Sequence, residues 1–144
     1  MEAVAIAEGL WRWTARQPSG VEVGCVYYEA SDATVLFDPL VPADEEERFL
    51  RHLDADVERR ALPVVVLLTG ERQRRSADEL AARYGARIGG ALPDGVEEIP
   101  LEGADEREVA YFIRPHAALV AAGIDERSLA RLELPVERLL VSRG

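Results

Sequence analysis

Few side chains in this chain of 144 residues are suited to catalysis or metal binding, because it contains only two histidines and one cysteine. His52 lies on a predicted helix and His116 opens a predicted strand after Pro115, and we interpret both as surface or hydrogen-bonded histidines. Cys25 is alone, so neither an intrachain disulfide nor a cysteine-based zinc cluster can form. There is no Gly-x-Ser-x-Gly nucleophile motif and no glycine-rich phosphate loop. We therefore predict no catalytic residue, no bound metal and no cofactor.

A metal site of a different composition is the alternative. With so few histidines and cysteines, a two-metal site would need a shell made almost entirely of carboxylates. Such a shell suits magnesium or manganese better than zinc.

The stretch that most resembles a functional loop contains Gly70, Arg72, Arg74, Arg75 and Ser76. It follows a predicted buried strand and leads into a helix, and open α/β sheets bind ligands at the carboxyl ends of their strands. A helix N-terminus also attracts anions. These five residues are therefore a hypothetical site for a small anion. The alternative, which we favour, is that the arginines form weak surface ion pairs with some of the 27 acidic residues.

Asp38 is the acidic residue whose position invites a functional interpretation, because it ends the predicted strand Thr34–Phe37 and precedes Pro39. Aspartate at such a position commonly accepts backbone hydrogen bonds where the chain turns. We therefore favour a structural role for Asp38 over a catalytic one.

Four aromatic residues, Trp11, Trp13, Tyr27 and Tyr28, lie on two predicted strands near the N-terminus. Aromatic side chains on adjoining strands pair across a sheet, so packing in the core is the favoured interpretation. The alternative is that they line a pocket or an interface. Trp11 and Trp13 share a face, so an exposed aromatic patch there would indicate self-association, and on this basis we predict a homodimer.

The elements that position these residues follow from the hydrophobic pattern. Alternating runs predict strands over Ala3–Ala7, Leu10–Ala15, Val21–Glu29 and Thr34–Phe37. Helical spacing then places Phe49, Leu50, Leu53, Val57 and Ala61 on one face of a helix that ends at Pro63.

The continuous apolar run Val64–Leu68 predicts a buried central strand. The next helix has a capping-box pattern from Ser76 to Glu79 and ends before Gly85. Shorter elements follow: β-like runs at Arg87–Ile88, Val96–Ile99, Val109–Ile113 and Ala117–Ala121, a helix over Glu126–Leu132, and a last strand at Val136–Val141. This order predicts one mixed α/β layered domain over residues 1–144.

Three landmarks, in their order, resemble the metallo-β-lactamase superfamily: Val35-Leu36-Phe37-Asp38-Pro39, an acid-rich helix, and Val64–Leu68 running through Thr69 into the helix at Ser76. In that family a hairpin ends in an aspartate before a helix, and the resemblance implies that Asp38, at this position, is a buried acid that supports the loop after Leu68. A buried strand then ends in Leu-Thr before a His-x-His-x-Asp-His loop and a helix. The resemblance covers nearly the whole chain and implies a layered α/β fold in which mixed sheets are flanked by helices.

The loop departs from the family pattern, because Gly70, Arg72, Arg74 and Arg75 stand where the family has its three histidines and aspartate. Arginine has no free lone pair at neutral pH and brings a positive charge to a cation site. We expect no metal-dependent hydrolysis from this loop.

Later landmarks of the family also lack their metal ligands. They fall near Gly103-Ala104, Gly123-Ile124 and Ser142-Arg143-Gly144, although Asp125 lies one residue from the second of them. The chain stops at the third, whereas many family members continue, so the resemblance implies a shortened, degenerate member.

Charge and hydropathy restrict the partners. The net charge of −10 makes binding to nucleic acid unfavourable. The longest uncharged apolar stretch, Ala117 to Ile124, is too short to span a bilayer, and the start of the chain lacks a basic signal-peptide region. We expect a cytoplasmic, noncatalytic relative of metallo-hydrolases that binds a partner, a copy of itself or a small anion. The alternative is a hydrolase with a non-standard or metal-independent active site.

Overall fold

The computed structural model describes residues 3–101 and 108–143, and its core lies around two β-sheets. The strands are β1 (Val4–Ala7), β2 (Leu10–Arg16), β3 (Glu22–Glu29), β4 (Thr34–Phe37), β5 (Val64–Leu67), β6 (Arg87–Ile88), β7 (Val96–Pro100), β8 (Val109–Ile113), β9 (Ala118–Ala121) and β10 (Arg138–Val141). The α-helices are α1 (Glu46–Arg60), α2 (Ala77–Tyr84) and α3 (Glu126–Arg131). Short 3-10 turns lie at Ala43–Glu45, Glu71–Gln73 and Arg114–His116.

The first sheet has six strands in the order β1-β2-β3-β4-β5-β6. Strands β1 to β4 form the predicted antiparallel meander, and β4, β5 and β6 run parallel. Parallel neighbours need a crossover, and α1 and α2 supply the two crossovers here. Strand β5 lies inside the sheet and is buried along its whole length, which explains its uninterrupted run of valine and leucine.

The second sheet has four strands in the order β10-β9-β8-β7. Strands β7, β8 and β9 are antiparallel, whereas β9 and β10 are parallel and are connected through α3. Leu129 of α3 packs with Phe112 and Leu119 on the outer face of this sheet.

Side-chain alternation along the strands assigns the two faces of the first sheet to different layers. One face, which includes Val26, Val35 and Val65, packs with Tyr111 and Val120 of the second sheet. The residues on the other face pack beneath α1 and α2; they are Trp13, Cys25, Tyr27, Leu36 and Val66. The result is a four-layer helix–sheet–sheet–helix arrangement.

The two sheets also meet edge to edge at Gly24 of β3. The Gly24 amide donates to the carbonyl of Ser142, just beyond β10, at 2.9 Å. A Cβ at this position would lie 2.6 Å from the carbonyl oxygen of Val141, so only glycine permits this approach. This contact brings the C-terminal strand to the ends of β4 and β5.

Most predicted elements are confirmed, with their bounds shifted by one or two residues. Two details are wrong. Ser76 precedes α2 but makes no side-chain cap, because its Oγ accepts a hydrogen bond from the Val41 amide at 2.9 Å instead. His116 does not open a strand, because it lies in a 3-10 turn that precedes β9.

No helix in the described ranges is long and apolar enough to cross a membrane.

Candidate functional site

Asp38 lies at the carboxyl end of β4 and is completely buried. Its φ of 48° is left-handed, a conformation that aspartate tolerates better than most residues. The amide of Thr69 donates to Oδ1 at 2.8 Å. The hydroxyls of Thr69 and Ser142 donate to Oδ2 at 2.7 and 2.6 Å. Asp38 thus accepts a backbone hydrogen bond, as the sequence predicts for a turn aspartate, and its three donors link the end of β4 to the end of β5 and to the residue after β10.

Burial raises the pKa of the Asp38 carboxyl above its usual value, because the charged form loses its solvation. The donors from Ser142 and Thr69 and the nearby Arg75 guanidinium act in the opposite direction, and burial dominates.

Arg75 lies beside Asp38, but its guanidinium binds main-chain oxygens rather than the carboxylate. Nη1 donates to the carbonyls of Asp38 at 2.7 Å and Gly24 at 2.9 Å, and Nη2 donates to the carbonyl of Ser142 at 2.8 Å. Arg75 itself has a φ of 41°. Three hydrogen bonds thus fix a partly buried guanidinium among β3, β4 and the segment after β10.

Together these contacts form what we call the Asp38 network: Asp38, Thr69, Arg75, Ser142 and the main chain of Gly24. Both carboxylate oxygens of Asp38 accept hydrogen bonds inside the protein. The network has a positively charged group at its centre and no exposed nucleophile, since Thr69 and Ser142 are almost completely buried. The hydrogen bonds of the network hold segments of the two sheets together.

The five residues of the hypothetical anion site do not converge on one point. Arg74 forms a two-pronged pair with Asp78 one turn later, at 2.8 and 2.7 Å. Arg75 belongs to the Asp38 network, and the Ser76 hydroxyl accepts from Val41. Gly70 is half-buried at the start of the loop. Arg72 is exposed and makes no ion pair with residues 3–101 or 108–143. The anion site stays a prediction, and Arg72 is its one free arginine within those ranges.

The other titratable candidates lie apart from one another. His52 is exposed on α1, and the His116 ring packs edge-on against Tyr28 with centroids 5.6 Å apart. Asp125 caps α3 by accepting from the Ser128 amide at 2.7 Å.

Cys25 is buried, and burial raises the pKa of its thiol to about 12. A thiol of this kind carries almost no thiolate at neutral pH and is inert.

Within the described residues, no three histidine, cysteine, aspartate or glutamate side chains form a group that could hold a metal ion. The landmark at Gly103-Ala104 and the terminal Gly144 lie outside those residues.

Core packing is confirmed for three of the four aromatic residues, because Trp13, Tyr27 and Tyr28 are buried. Trp13 Nε1 donates to the Leu40 carbonyl at 3.1 Å. Trp11 is 39% exposed whereas Trp13 is 4% exposed, so the two tryptophans do not form an exposed patch together.

The resemblance implied that Asp38 supports the loop after Leu68, but sequence reasoning named neither of its partners. Thr69 was predictable, because parallel neighbours end at the same edge of a sheet and β4 and β5 are parallel. Ser142 is 104 positions away from Asp38 and carries no local signal.

We predict that Asp38→Ala lowers the free energy of unfolding by about 3–5 kcal/mol, because it leaves the Thr69 amide and two hydroxyls buried without their acceptor. Asp38→Asn retains the shape and the tolerance of positive φ, and we expect a smaller loss. Urea denaturation followed by circular dichroism measures both variants.

The pH dependence of Asp38→Asn tests the raised pKa of Asp38. The folded state holds its proton more tightly than the unfolded state, whose pKa is about 3.9. The Asp38 contribution to stability is therefore complete below about pH 4 and declines as the pH rises through the folded-state pKa. The advantage of the wild type over Asp38→Asn should be greatest near pH 4 and smaller near pH 7. Parallel profiles of the two proteins would contradict this assignment.

Arg75→Met should destabilise the protein by about 3 kcal/mol, because three carbonyl groups lose a charged donor. Arg75→Lys should recover less than half of this loss, since an ammonium cannot reproduce the planar fork. Arg74→Met is the matched control, and we expect little change because its pair with Asp78 is exposed. Equal effects at positions 74 and 75 in chemical denaturation would show that the guanidinium of Arg75 has no special role.

Comparison with known proteins gives no match to any family model and no match to a curated protein sequence. Among solved structures, the fold resembles that of VMB-1 at pH 5.5, with a TM-score of 0.65 and 8% identity over 99% of this chain and 89% of that chain. It also resembles the DIM-1 metallo-β-lactamase, with a TM-score of 0.60, 8% identity and the same two coverages.

A metallo-β-lactamase from Pontibacter korlensis aligns with a TM-score of 0.58 and 16% identity over 99% of this chain and 91% of that chain. The chain therefore has the metallo-β-lactamase fold that its sequence predicts, with arginine in the loop where the family resemblance implies metal ligands.

Proposed function

We propose that this chain is a noncatalytic domain of the metallo-β-lactamase fold, which acts by binding a partner rather than by metal-dependent hydrolysis. The observation that supports the proposal is the Arg75 guanidinium, which is hydrogen-bonded to three carbonyls beside Asp38. A second copy of the chain is the partner predicted from the sequence. The homodimer and the cytoplasmic location stay predictions.

The donor set of the loop does not fit a divalent metal ion. Arg72, Arg74 and Arg75 offer no lone pair, and their charges repel a cation. Glu71 and Glu108 are the carboxylates near Gly70, and Glu108 is paired with Arg143; at Asp38 a metal would have to displace the hydrogen bonds from Thr69 and Ser142. Breaking a buried, fully bonded arrangement of this kind costs several kcal/mol.

Catalysis by new chemistry around Asp38 is the competing class of function. A general acid or base must come within about 3 Å of the proton that it transfers. Asp38 is fully buried and its partners Thr69 and Ser142 are within 1% of full burial. No substrate atom can approach the carboxylate without opening the junction between the sheets, so the geometry favours the noncatalytic proposal.

Metal content is the direct test. We expect protein purified without chelator, then incubated with Zn²⁺ or Mn²⁺ and desalted, to retain much less than one equivalent of metal, because no three histidine, cysteine or acidic side chains of the described residues converge to bind it. Elemental analysis measures the metal, and thermal melting with and without EDTA measures its effect. A stoichiometric metal whose removal by EDTA lowers the melting temperature would overturn the proposal.

Binding of a small anion by the loop is the second candidate. The observation in its favour is that Arg72 is exposed at the carboxyl end of β5 in a locally cationic loop of an otherwise acidic chain. Arg74 and Arg75 are already hydrogen-bonded to other groups of the protein. Few contacts therefore remain for an anion, and we expect weak binding.

Inorganic phosphate is the probe for this candidate. A site with a Kd of about 5 mM would stabilise the protein by about 1.4 kcal/mol at about 50 mM phosphate, which raises the melting temperature by roughly 5 °C. Arg72→Ala should lose most of that rise, whereas Arg127→Ala on exposed α3 should retain it. Phosphate also stabilises proteins generally by exclusion from their surface. An equal rise in all three proteins would therefore exclude the anion site.

A further inference from the structure

A short linker over residues 133–137, with neither helix nor strand, joins α3 to β10. Glu133 has a φ of 52°, at a position after a helix where glycine is usual because a Cβ is disfavoured there. The chain then turns sharply around Pro135, since the Val136 amide donates to the carbonyl of Leu134 at 2.8 Å. The linker thus combines an unfavourable backbone conformation with a tight turn.

The segment that follows the linker, residues 138–143, makes its main contacts with distant parts of the chain. Strand β10 pairs in parallel with β9. The Ser142 hydroxyl donates to Asp38 at 2.6 Å, and Arg143 pairs with Glu108 at 2.8 Å. None of these contacts involves the linker. The same segment of a second copy can therefore form each of them with the same geometry.

Charge and burial do not tie this segment to its own chain. Residues 133–143 contain two glutamates and two arginines, so their formal charge is zero in a chain whose net charge is −10. Within β10, Leu140 is buried, Arg138 and Val141 are half-buried, and Leu139 is exposed. Hydrogen bonds, which a second copy reproduces, therefore supply a large share of the attachment of β10.

We propose that the chain forms a dimer by exchanging residues 138–143, so that β10 of each copy pairs with β9 of the other. The linker then extends between the copies, Glu133 leaves the left-handed region and the turn at Pro135 opens. The contacts of the segment are retained, and a strained linker favours such an exchange. Each Asp38 then receives its hydrogen bond from the Ser142 of the other copy. This inference rests on the proposal that a second copy is the partner.

A disulfide between β9 and β10 tests the exchange directly. Ala121 and Val141 lie opposite each other in the parallel pair, at a spacing that suits a disulfide. We expect the double variant Ala121→Cys with Val141→Cys, once oxidised, to migrate on a nonreducing gel at twice the mass of one chain. Ala121→Cys alone is the control and should stay at the single mass, because Cys25 is buried. Loss of the free thiols without a change in mass would show that each β10 pairs within its own chain, and would overturn the proposal.

Variants of the linker test the cause of the exchange. Glu133→Gly accepts the left-handed conformation and so stabilises the closed linker; we expect the Kd of the dimer to rise about tenfold. Ala61→Gly is the matched control, because Ala61 has a φ of 53° after α1 and lies outside the linker. It should leave the Kd unchanged. Sedimentation equilibrium measures both, and an equal change in the two variants would show that the linker does not drive the dimer.

The outcomes separate this inference from the proposed function. A wild-type chain that sediments as a monomer at every concentration would overturn both the exchange and the second copy as partner, but it would leave the absence of metal-dependent hydrolysis to the metal test. A dimer whose disulfides form within each chain would overturn the exchange alone.

Discussion

The buried carboxylate of Asp38 imposes the main constraint on the junction between the two sheets. A buried acid must have hydrogen-bond donors, and here they come from Thr69 at the end of β5 and from Ser142 after β10. These segments can supply the donors only if the last strand returns to β3. Gly24 permits that return because it has no side chain. A Cβ at this position would collide with the Val141 carbonyl. The carboxylate, the glycine and the C-terminal segment therefore depend on one another.

Arg75 extends the same constraint to the loop after β5. Its guanidinium is planar and carries donors in fixed directions, so it can hold carbonyl groups of three segments at once. A metal ion placed in such a loop would join chain segments through lone-pair donors. The guanidinium joins chain segments by donating hydrogen bonds to them, so it needs carbonyl oxygens around it instead of histidine side chains. The two kinds of cross-link exclude each other, because both bring positive charge to the same region.

Local patterns in the sequence were sufficient for most of the elements, whereas the fold came from the resemblance of three ordered landmarks to a known family. The valine run of β5 and the acid-rich start of α1 have physical causes that act within a few residues. The site was less accessible. Arg72, Arg74 and Arg75 look alike in sequence, yet the first is exposed, the second pairs one turn away and the third is fixed by carbonyl groups. Their different roles arise from tertiary contacts such as that of Ser142, which no local pattern encodes. Ser76 was wrongly predicted to cap a helix for the same reason, because the Val41 amide that donates to its hydroxyl is 35 positions away.

The location of unsatisfied groups decides where a ligand can gain free energy. In the Asp38 network the carboxylate oxygens, both hydroxyl groups and the bound carbonyls already have partners, whereas the buried Nε of Arg75 has none among the described residues. On the helical face of the first sheet Trp11 is 39% exposed, but the Asp56 carboxylate near it is already paired with Arg59 at 3.3 Å. The contacts around Asp38 thus leave few groups in the described residues with which a ligand could form new hydrogen bonds.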